Sequence, residues 1–288
     1  MTKHQTFALD TDIGTDVDDL LALTMTLGSP ELSISEIVTT YGDVVLRARI
    51  VSKVYTVLGL TPPPIVPGLS ETLSGRPVWW PGHEGETIAD LKSQIFASER
   101  DAVADLATSS TIAAIAPLAN VASALRRPHE VEQIVLMGGE FKQGVVEHNI
   151  RCDVTAAKEV FESNVRVVAV GLDQTERIRL NADDRDTINA AGPLGAMIGA
   201  EMRRFWEFAD QSYNTPHDPV AILYLACPDL FTTSRGRIVV DLEGKTTFIA
   251  DATGPHRIVT DLDVDQVKHE IMRRILVATT TFHPATSI

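Results

Sequence analysis

Five aspartates, Asp10, Asp12, Asp16, Asp18 and Asp19, crowd into ten residues near the amino terminus. Two ionised carboxylates ~4 Å apart repel by about 4 kcal/mol at an effective dielectric constant of 20. A tight turn after a buried strand cannot spread them, so some are protonated or a cation neutralises them. The alternative, an acidic cap on a surface helix, needs only one or two acids and does not explain five. Because oxygen ligands suit Ca²⁺ or Mg²⁺ better than Zn²⁺, the pattern predicts a hard divalent-cation site.

Two further segments carry groups that can do chemistry. His217 and Asp218 directly precede the apolar run Pro219–Ala226. The pair is either structural or supplies a further metal carboxylate and an imidazole that donates a proton near neutral pH. Glu147 and Asn149 either belong to a surface loop or hydrogen-bond the vicinal hydroxyls of a sugar.

Alternating strand and helix patterns must position these residues. The predicted strands are Thr6–Leu9, Ser35–Thr40, Thr111–Ala116, Gln133–Met137 and Val165–Val170. The predicted helices between them are Asp18–Leu27, Leu46–Leu58, Asn120–Leu125 and Thr155–Phe161. This alternation predicts an α/β fold with an open, mostly parallel (Rossmann-like) sheet flanked by helices. Each strand ends in a polar or glycine-rich turn, and these turns should meet at the carboxyl edge, where ligands bind.

After Val170 the sequence no longer shows the regular alternation of strand and helix patterns. The segment Asn181–Ala209 predicts two helices, separated near Gly192-Pro193, and Asp265–Val277 predicts a closing helix. A small β-hairpin is expected from Arg237–Leu242 and Thr246–Ala250. We interpret Glu71–Glu99 as a surface insertion and residues 1–288 as a single domain.

Composition narrows the classes of protein. A net charge of -14 disfavours a nucleic-acid partner. Cys152 and Cys227 form no metal-binding pattern and are expected to be free thiols. The chain shows neither a signal peptide nor the ~20 apolar residues needed to cross a bilayer, so we expect a cytoplasmic protein without a membrane partner.

Several motifs, in order along the chain, resemble those of the nucleoside hydrolase family, the inosine-uridine type N-ribohydrolases. The likeness spans Phe7 to about Leu276. The family's DxDxG opening, paired DD, PLTN, LMGG, EFN and HD motifs correspond to Asp10–Gly14, Asp18-Asp19, Pro117–Asn120, Leu136–Gly139, Glu147–Asn149 and His217-Asp218. Together these ordered matches are far more specific than any one of them.

The resemblance implies roles for individual residues. Calcium would be bound by Asp12, Asp19, Asp218 and the main-chain carbonyl of Ala119. Asp12 would also be the general base that activates a metal-bound water, and His217 would face the base and protonate the leaving group. Ribose or substrate contacts would come from Asp18, Glu147, Asn149 and Met137.

The chain departs from the family pattern at four places. Two extra residues lie between Gly14 and Asp18, so Asp16 competes with Asp18 for the ribose-binding role. Ala119 stands where threonine is common, which a main-chain ligand tolerates. Asp43 replaces an asparagine, and can still accept a ribose hydroxyl bond. His148 replaces a usual phenylalanine.

The implied reaction is calcium-dependent hydrolysis of the N-glycosidic bond of a ribonucleoside, with inversion, to give ribose and free base. One alternative is a haloacid dehalogenase-type phosphatase, because FALDTDIGT resembles an hhhDxDxT start, with Thr39-Thr40 and Lys158 in its remaining roles. Another is a non-catalytic nucleoside- or ribose-binding protein on the same fold.

The sequence leaves open which side chain contacts the base of the nucleoside. Candidates are Trp79, Trp80, His83, Phe205, Trp206 and Tyr213, since aromatic faces stack on any base. The Pro/Gly-rich segment Trp79–Thr87 resembles the family's mobile active-site flap. The resemblance also implies a homo-oligomer, a dimer or tetramer.

Overall fold

The computed structural model describes residues 4–97 and 99–281. Its strands are β1 (Gln5–Thr11), β2 (Leu32–Thr39), β3 (Ile65–Pro67), β4 (Thr111–Ile115), β5 (Gln133–Met137), β6 (Arg166–Val170), β7 (Phe231–Val240), β8 (Thr246–Ala250) and β9 (His256–Leu262). They form one sheet in the order β3-β2-β1-β4-β5-β6-β9-β7-β8. Strands β1 to β6 and β9 pair in parallel, whereas β7 is antiparallel to both of its neighbours.

Helices follow most of the strands. They are α1 (Asp18–Leu27), α2 (Val44–Leu58), α3 (Ala102–Ala107), α4 (Ala119–Leu125), α5 (His148–Cys152), α6 (Val154–Glu162), α7 (Leu172–Thr175), α8 (Ala182–Asn189), α9 (Pro193–Ala209), α10 (His217–Ala226) and α11 (Val264–Thr281). Short 3-10 turns cover Leu91–Ser93 and Pro228–Leu230. In the described part of the chain, no helix is long and apolar enough to cross a membrane.

The sheet separates two apolar layers, because successive side chains of a strand point to opposite faces. On β1, Phe7 and Leu9 pack with α1, α2, α10 and α11, while Ala8 faces the layer beneath α3, α4 and α6. Burial on both faces explains why the parallel strands are continuous apolar runs. The strand order reverses between β1 and β4, which places a crevice beyond their carboxyl ends.

The predicted fold class is confirmed, with differences in detail. The helix pair between Asn181 and Ala209 and the closing helix are present, and the latter runs further, to Thr281. The hairpin is part of a larger antiparallel unit, because β7 also pairs with β9. The sequence patterns missed β3, β9, α3, α5 and α7. Both cysteines are free thiols, and Cys152 is buried.

Candidate active site

A cavity of about 240 Å³ lies beyond the carboxyl ends of β1, β4 and β5. It is lined by Asp12, Thr15, Asp16, Asp18, Asp19, Tyr41, Trp79, Ile115, Met137, Glu147, His148, Asn149, Leu172, Phe205, His217 and Asp218. Acidic groups are thus combined with apolar and aromatic side chains, as in small-molecule sites with a few orienting polar groups. The four polar turns that follow β1, β5 and β6 and precede α10 meet here.

The acidic turn, residues 12–17, connects β1 to α1. Gly14 adopts φ 121°, and a Cβ atom there would lie 2.8 Å from Ile50 Cδ1, so both conformation and packing favour glycine. Asp18 and Asp19 occupy the first turn of α1, near the positive end of its dipole. The Thr11 hydroxyl donates a hydrogen bond to Asp19 Oδ1, which orients that carboxylate.

Three buried carboxylates form the tightest cluster in the described part of the chain. Oxygens of Asp18, Asp19 and Asp218 lie within 4.8 Å of one another. Asp12 lines the same cavity but stands outside this triplet, and it is half-buried because it faces the open space. The triplet therefore unites two predicted metal ligands with Asp18, the predicted ribose contact.

Burial and mutual repulsion perturb the cluster. Desolvation raises the pKa of Asp18, Asp19 and Asp218 well above the usual range, and neighbouring aspartates raise these pKa values further. Desolvation also raises the pKa of half-buried Asp16 to about 7, although Val17 N donates to Oδ1 at 2.5 Å. An all-oxygen, buried, electron-rich donor set of this kind fits a hard divalent cation.

The segment with the predicted sugar-binding residues is a helix start rather than a loop. Glu147 is the N-cap of α5, and its carboxylate accepts bonds from Asn149 N at 2.8 Å, Ile150 N at 3.0 Å and Gly139 N at 3.2 Å. Asn149 Nδ2 donates to the carbonyl oxygen of Met137 at 3.3 Å. These bonds hold Glu147, Asn149 and Met137 against the cavity.

His217 and Asp218 are the first two residues of α10, and both line the cavity. Nδ1 of His217 lies 2.7 Å from the Thr175 hydroxyl. Burial, followed by the nearby His148, lowers the pKa of His217 to about 4, so its imidazole is uncharged at neutral pH. If the hydroxyl donates to Nδ1, the imidazole proton resides on Nε2.

Two residues predicted to contact ligands are at helix starts and do not line the cavity. Asp43 is exposed and caps α2, where its carboxylate accepts a hydrogen bond from Leu46 N at 2.9 Å. Tyr41, two residues earlier, lines the cavity instead. Ala119 is buried as the first residue of α4, and it is not among the lining residues.

The segment Trp79–Thr87, which was predicted to be a flap, contacts the acidic turn. His83 is buried behind the turn, with Nε2 2.8 Å from the carbonyl oxygen of Thr15, and does not line the cavity. The Thr15 hydroxyl donates to Glu84 Oε1 at 3.1 Å. Trp79 alone of this segment reaches the cavity, at its exposed mouth.

Among the other aromatic candidates, Phe205 lines the cavity and Trp206 does not. The Trp206 indole turns away and donates to Asn214 Oδ1 at 2.5 Å. Rings of Trp80 and Tyr213 instead pack against the guanidinium groups of arginines.

The predictions missed lining residues at strand ends. Thr15, Tyr41, Ile115, His148 and Leu172 line the cavity. Most of them lie at or just after the end of a parallel strand, so the strand-end rule applied residue by residue is the signal that finds them.

The lysine required by the phosphatase alternative is not at the cavity. Lys158 is on α6 and pairs with Glu162 at 3.8 Å.

Comparison with known proteins identifies relatives over nearly the whole chain. The family model "Inosine-uridine preferring nucleoside hydrolase" matches residues 7–269. The non-specific ribonucleoside hydrolase RihC of Klebsiella pneumoniae (strain 342) is 31% identical, over 89% of this chain and 93% of its own length. The pyrimidine-specific ribonucleoside hydrolase RihA of Escherichia coli O9:H4 (strain HS) is 30% identical, over 83% of this chain and 85% of its own.

Solved structures share the fold. A purine-preferring ribonucleoside hydrolase from Gardnerella vaginalis is 25% identical with a TM-score of 0.81, covering 96% of this chain and 100% of that one. A plant nucleoside hydrolase, 21% identical, has a TM-score of 0.80 over 95% of this chain and 99% of that one. The chain therefore belongs to the inosine-uridine preferring nucleoside hydrolase family and is a hydrolase that acts on N-glycosyl bonds.

Proposed function

We propose that this protein hydrolyses the N-glycosidic bond of ribonucleosides in a calcium-dependent reaction that yields ribose and free base. The observation that carries the proposal is the buried Asp18–Asp19–Asp218 triplet, which opens onto the cavity beside Asp12. A cavity that combines such a cluster with apolar walls suits a ligand that has hydroxyls at one end and a flat ring at the other.

The proposed calcium ligands are Asp12, Asp19, Asp218 and the carbonyl oxygen of Ala119. Carboxylate and carbonyl oxygens are the ligands that Ca²⁺ prefers, and the described cluster contains neither histidine nor cysteine. When bound, the cation supplies charge that neutralises the carboxylates and polarises the oxygens it contacts. Asp18 lies close enough to Asp19 and Asp218 to join the ligands.

We assign the proton-accepting role to Asp12. It faces the cavity and is half-buried, so its carboxylate can reach a water molecule beneath the sugar. Attack by that water on the face opposite the departing base inverts the anomeric carbon, as in inverting glycosidases. Asp18 or Asp16, together with Glu147 and Asn149, would hold the ribose hydroxyls.

His217 is proposed to face the departing base. Because its pKa is lowered to about 4, the neutral imidazole can offer one N–H to a ring nitrogen or oxygen of the base. Trp79 and Phe205 are the aromatic side chains at the cavity and are the proposed stacking surfaces. The relatives are non-specific, pyrimidine-specific or purine-preferring by name, so no base preference is assigned to this chain.

A substrate panel tests the proposal. Inosine, uridine, cytidine, guanosine and adenosine are assayed for reducing sugar, with p-nitrophenyl phosphate as the phosphatase control. We expect sugar release from at least one nucleoside, loss of turnover in EGTA and recovery with Ca²⁺. Release of phosphate alone, or ribonucleoside binding without sugar release, would refute the proposed reaction.

The role of Asp12 needs a matched pair of variants. Asp12→Asn should reduce kcat by orders of magnitude, because an amide cannot accept the proton. Asp43→Asn, the same change at an exposed position outside the cavity, should leave kcat unchanged. Near wild-type turnover of Asp12→Asn would exclude Asp12 as the base.

A homo-oligomer, either a dimer or a tetramer, is a further proposal. Light scattering after size-exclusion chromatography measures the oligomeric state directly.

A further inference from the structure

One cation, Arg47, is completely buried beside the acidic turn. It lies in the first two turns of α2, and none of its surface is exposed. Its Nε donates to the carbonyl oxygen of Tyr41 at 2.7 Å. Its Nη1 donates to the carbonyl oxygens of Asp12 and, at 2.9 Å, Ile13. Its Nη2 donates to the Thr15 hydroxyl at 3.3 Å.

The four acceptors of this buried guanidinium carry no formal charge. Among the described residues, Arg47 forms no ion pair within the distance of a salt bridge, and its partners are three carbonyls and a hydroxyl. Burial of a charge costs several kcal/mol unless it is paired and hydrogen-bonded. The charge is balanced at longer range, since Arg47 lowers the pKa values of Asp12 and Asp19 against the effect of their burial.

The bonds converge on the segment that sets the direction of the carboxylates. The carbonyls of Asp12 and Ile13 and the Thr15 hydroxyl all belong to the acidic turn, which lies between β1 and the Asp18-Asp19 pair. A planar guanidinium presents several N–H groups in a fixed fork, which a lysine ammonium cannot reproduce. The ring of Trp80 covers the other side of Arg47, 4.9 Å from Cζ.

We propose that Arg47 is a positioning residue whose guanidinium holds the acidic turn in the conformation that binds the cation. The inference rests on the proposed cation site. It assigns Arg47 a geometric role, through hydrogen bonds to backbone carbonyls, in addition to its charge. The two extra residues of this turn lengthen the segment that must be held, and Thr15, one of the partners of Arg47, lies within it.

Geometry and charge make opposite predictions for two variants. If Arg47 acted only as a positive charge, Arg47→Lys would bind Ca²⁺ like the wild type, and Arg47→Met would bind it more tightly, because a repelling charge is removed. If the guanidinium fork positions the turn, both variants lose the bonds to Asp12 and Ile13. Both then bind Ca²⁺ at least tenfold more weakly.

Arg274→Met is the matched control. Arg274 is equally a buried arginine, only 3% exposed, but it pairs with Glu31 and Glu270 on the far side of the fold. Its loss should destabilise the protein without changing Ca²⁺ affinity by more than twofold. Equal weakening of Ca²⁺ binding in Arg274→Met and Arg47→Met would show a general effect of lost stability and overturn the assignment.

The experiment is calorimetric titration of Ca²⁺ into the EGTA-treated, desalted full chain, with folding checked by circular dichroism. Amide hydrogen exchange of residues 11–17 is measured in parallel, since it reports the turn without any metal. Faster exchange there in Arg47→Lys than in wild type or Arg274→Met supports positioning, and unchanged exchange overturns it. A wild type that binds no Ca²⁺ would refute the proposed metal, while the exchange result would still decide the role of Arg47.

Discussion

Replacing Asp10 with asparagine should reduce the loss of stability with rising pH in the chelated protein. The side chain is fully buried at the end of β1, where Oδ1 accepts a hydrogen bond from Asn120 Nδ2 at 2.8 Å. Its Oδ2 has no partner among the described residues. Burial therefore raises the pKa of Asp10 from 3.8 to about 8, although the Asn120 bond lowers it.

The folded protein binds the carboxyl proton of Asp10 more tightly than the unfolded chain does. The stability it contributes is fully present below pH 3.8 and is lost as the pH rises towards about 8. One proton corresponds to about 1.4 kcal/mol of unfolding free energy per pH unit. Below pH 6.5 the opposite slope of His217 and His256 interferes, because burial lowers their pKa values from 6.5 to about 4.

The stabilities of Asp10→Asn and the wild type are therefore compared over the one pH unit above pH 6.5, where the two histidines no longer interfere. Urea unfolding in EGTA, extrapolated linearly to water, gives the free energy of unfolding at each pH. Across that unit, Asp10→Asn should lose about 1.4 kcal/mol less than the wild type, because asparagine cannot release the proton. Asp43→Asn, an exposed control, should follow the wild type. Parallel curves for Asp10→Asn and wild type would refute the buried, protonated carboxyl.

Three further variants test how the site is held. Glu147→Gln should lower the Tm, because its carboxylate accepts three backbone N–H groups and a buried one left unpaired costs about 1–3 kcal/mol; scanning fluorimetry with an unchanged Tm would contradict this. Asp43→Ala should cost about 1 kcal/mol through its helix cap and leave KM unchanged, whereas a higher KM would place it at the substrate. Asn214→Ala should raise KM more than it lowers kcat, because Asn214 joins the Trp206 indole to Asp16; kinetics with unchanged KM would exclude that link.

The fold was predictable wherever burial is simple. Strands covered on both faces are continuous apolar runs, and most helices between them have clear starts, so β1, β2, β4, β5 and β6 followed from pattern alone. Strand β3 is only three residues long and follows three prolines, which hide it. The exposed hairpin was recognised from its turn. The partner of β7 on its other side, β9, is set by tertiary pairing that no local pattern reports.

The residues of the site were likewise predictable only in part. The motif residues Asp12, Asp18, Asp19, Glu147, Asn149, His217 and Asp218 all reach the cavity. Asp43 does not, because Tyr41 adopts φ 65° after β2 and the chain turns into the cap of α2. Trp206 and Phe205 are neighbours on a helix and point about 100° apart, so the face that meets the cavity depends on how α9 packs.

Helix starts explain how so many carboxylates are tolerated, and why they still need a counter-charge. Asp18 and Asp19 begin α1, and Asp218 lies in the first turn of α10, so two positive helix ends meet at the triplet. Each end stabilises a nearby anion by about 0.3–1 kcal/mol, or ~2 kcal/mol when partly buried. Three ionised carboxylates within 4.8 Å form three repelling pairs, at about 3–4 kcal/mol each. The dipoles of the two helices therefore offset only part of the repulsion, and a bound cation would favour ionisation of all three carboxylates.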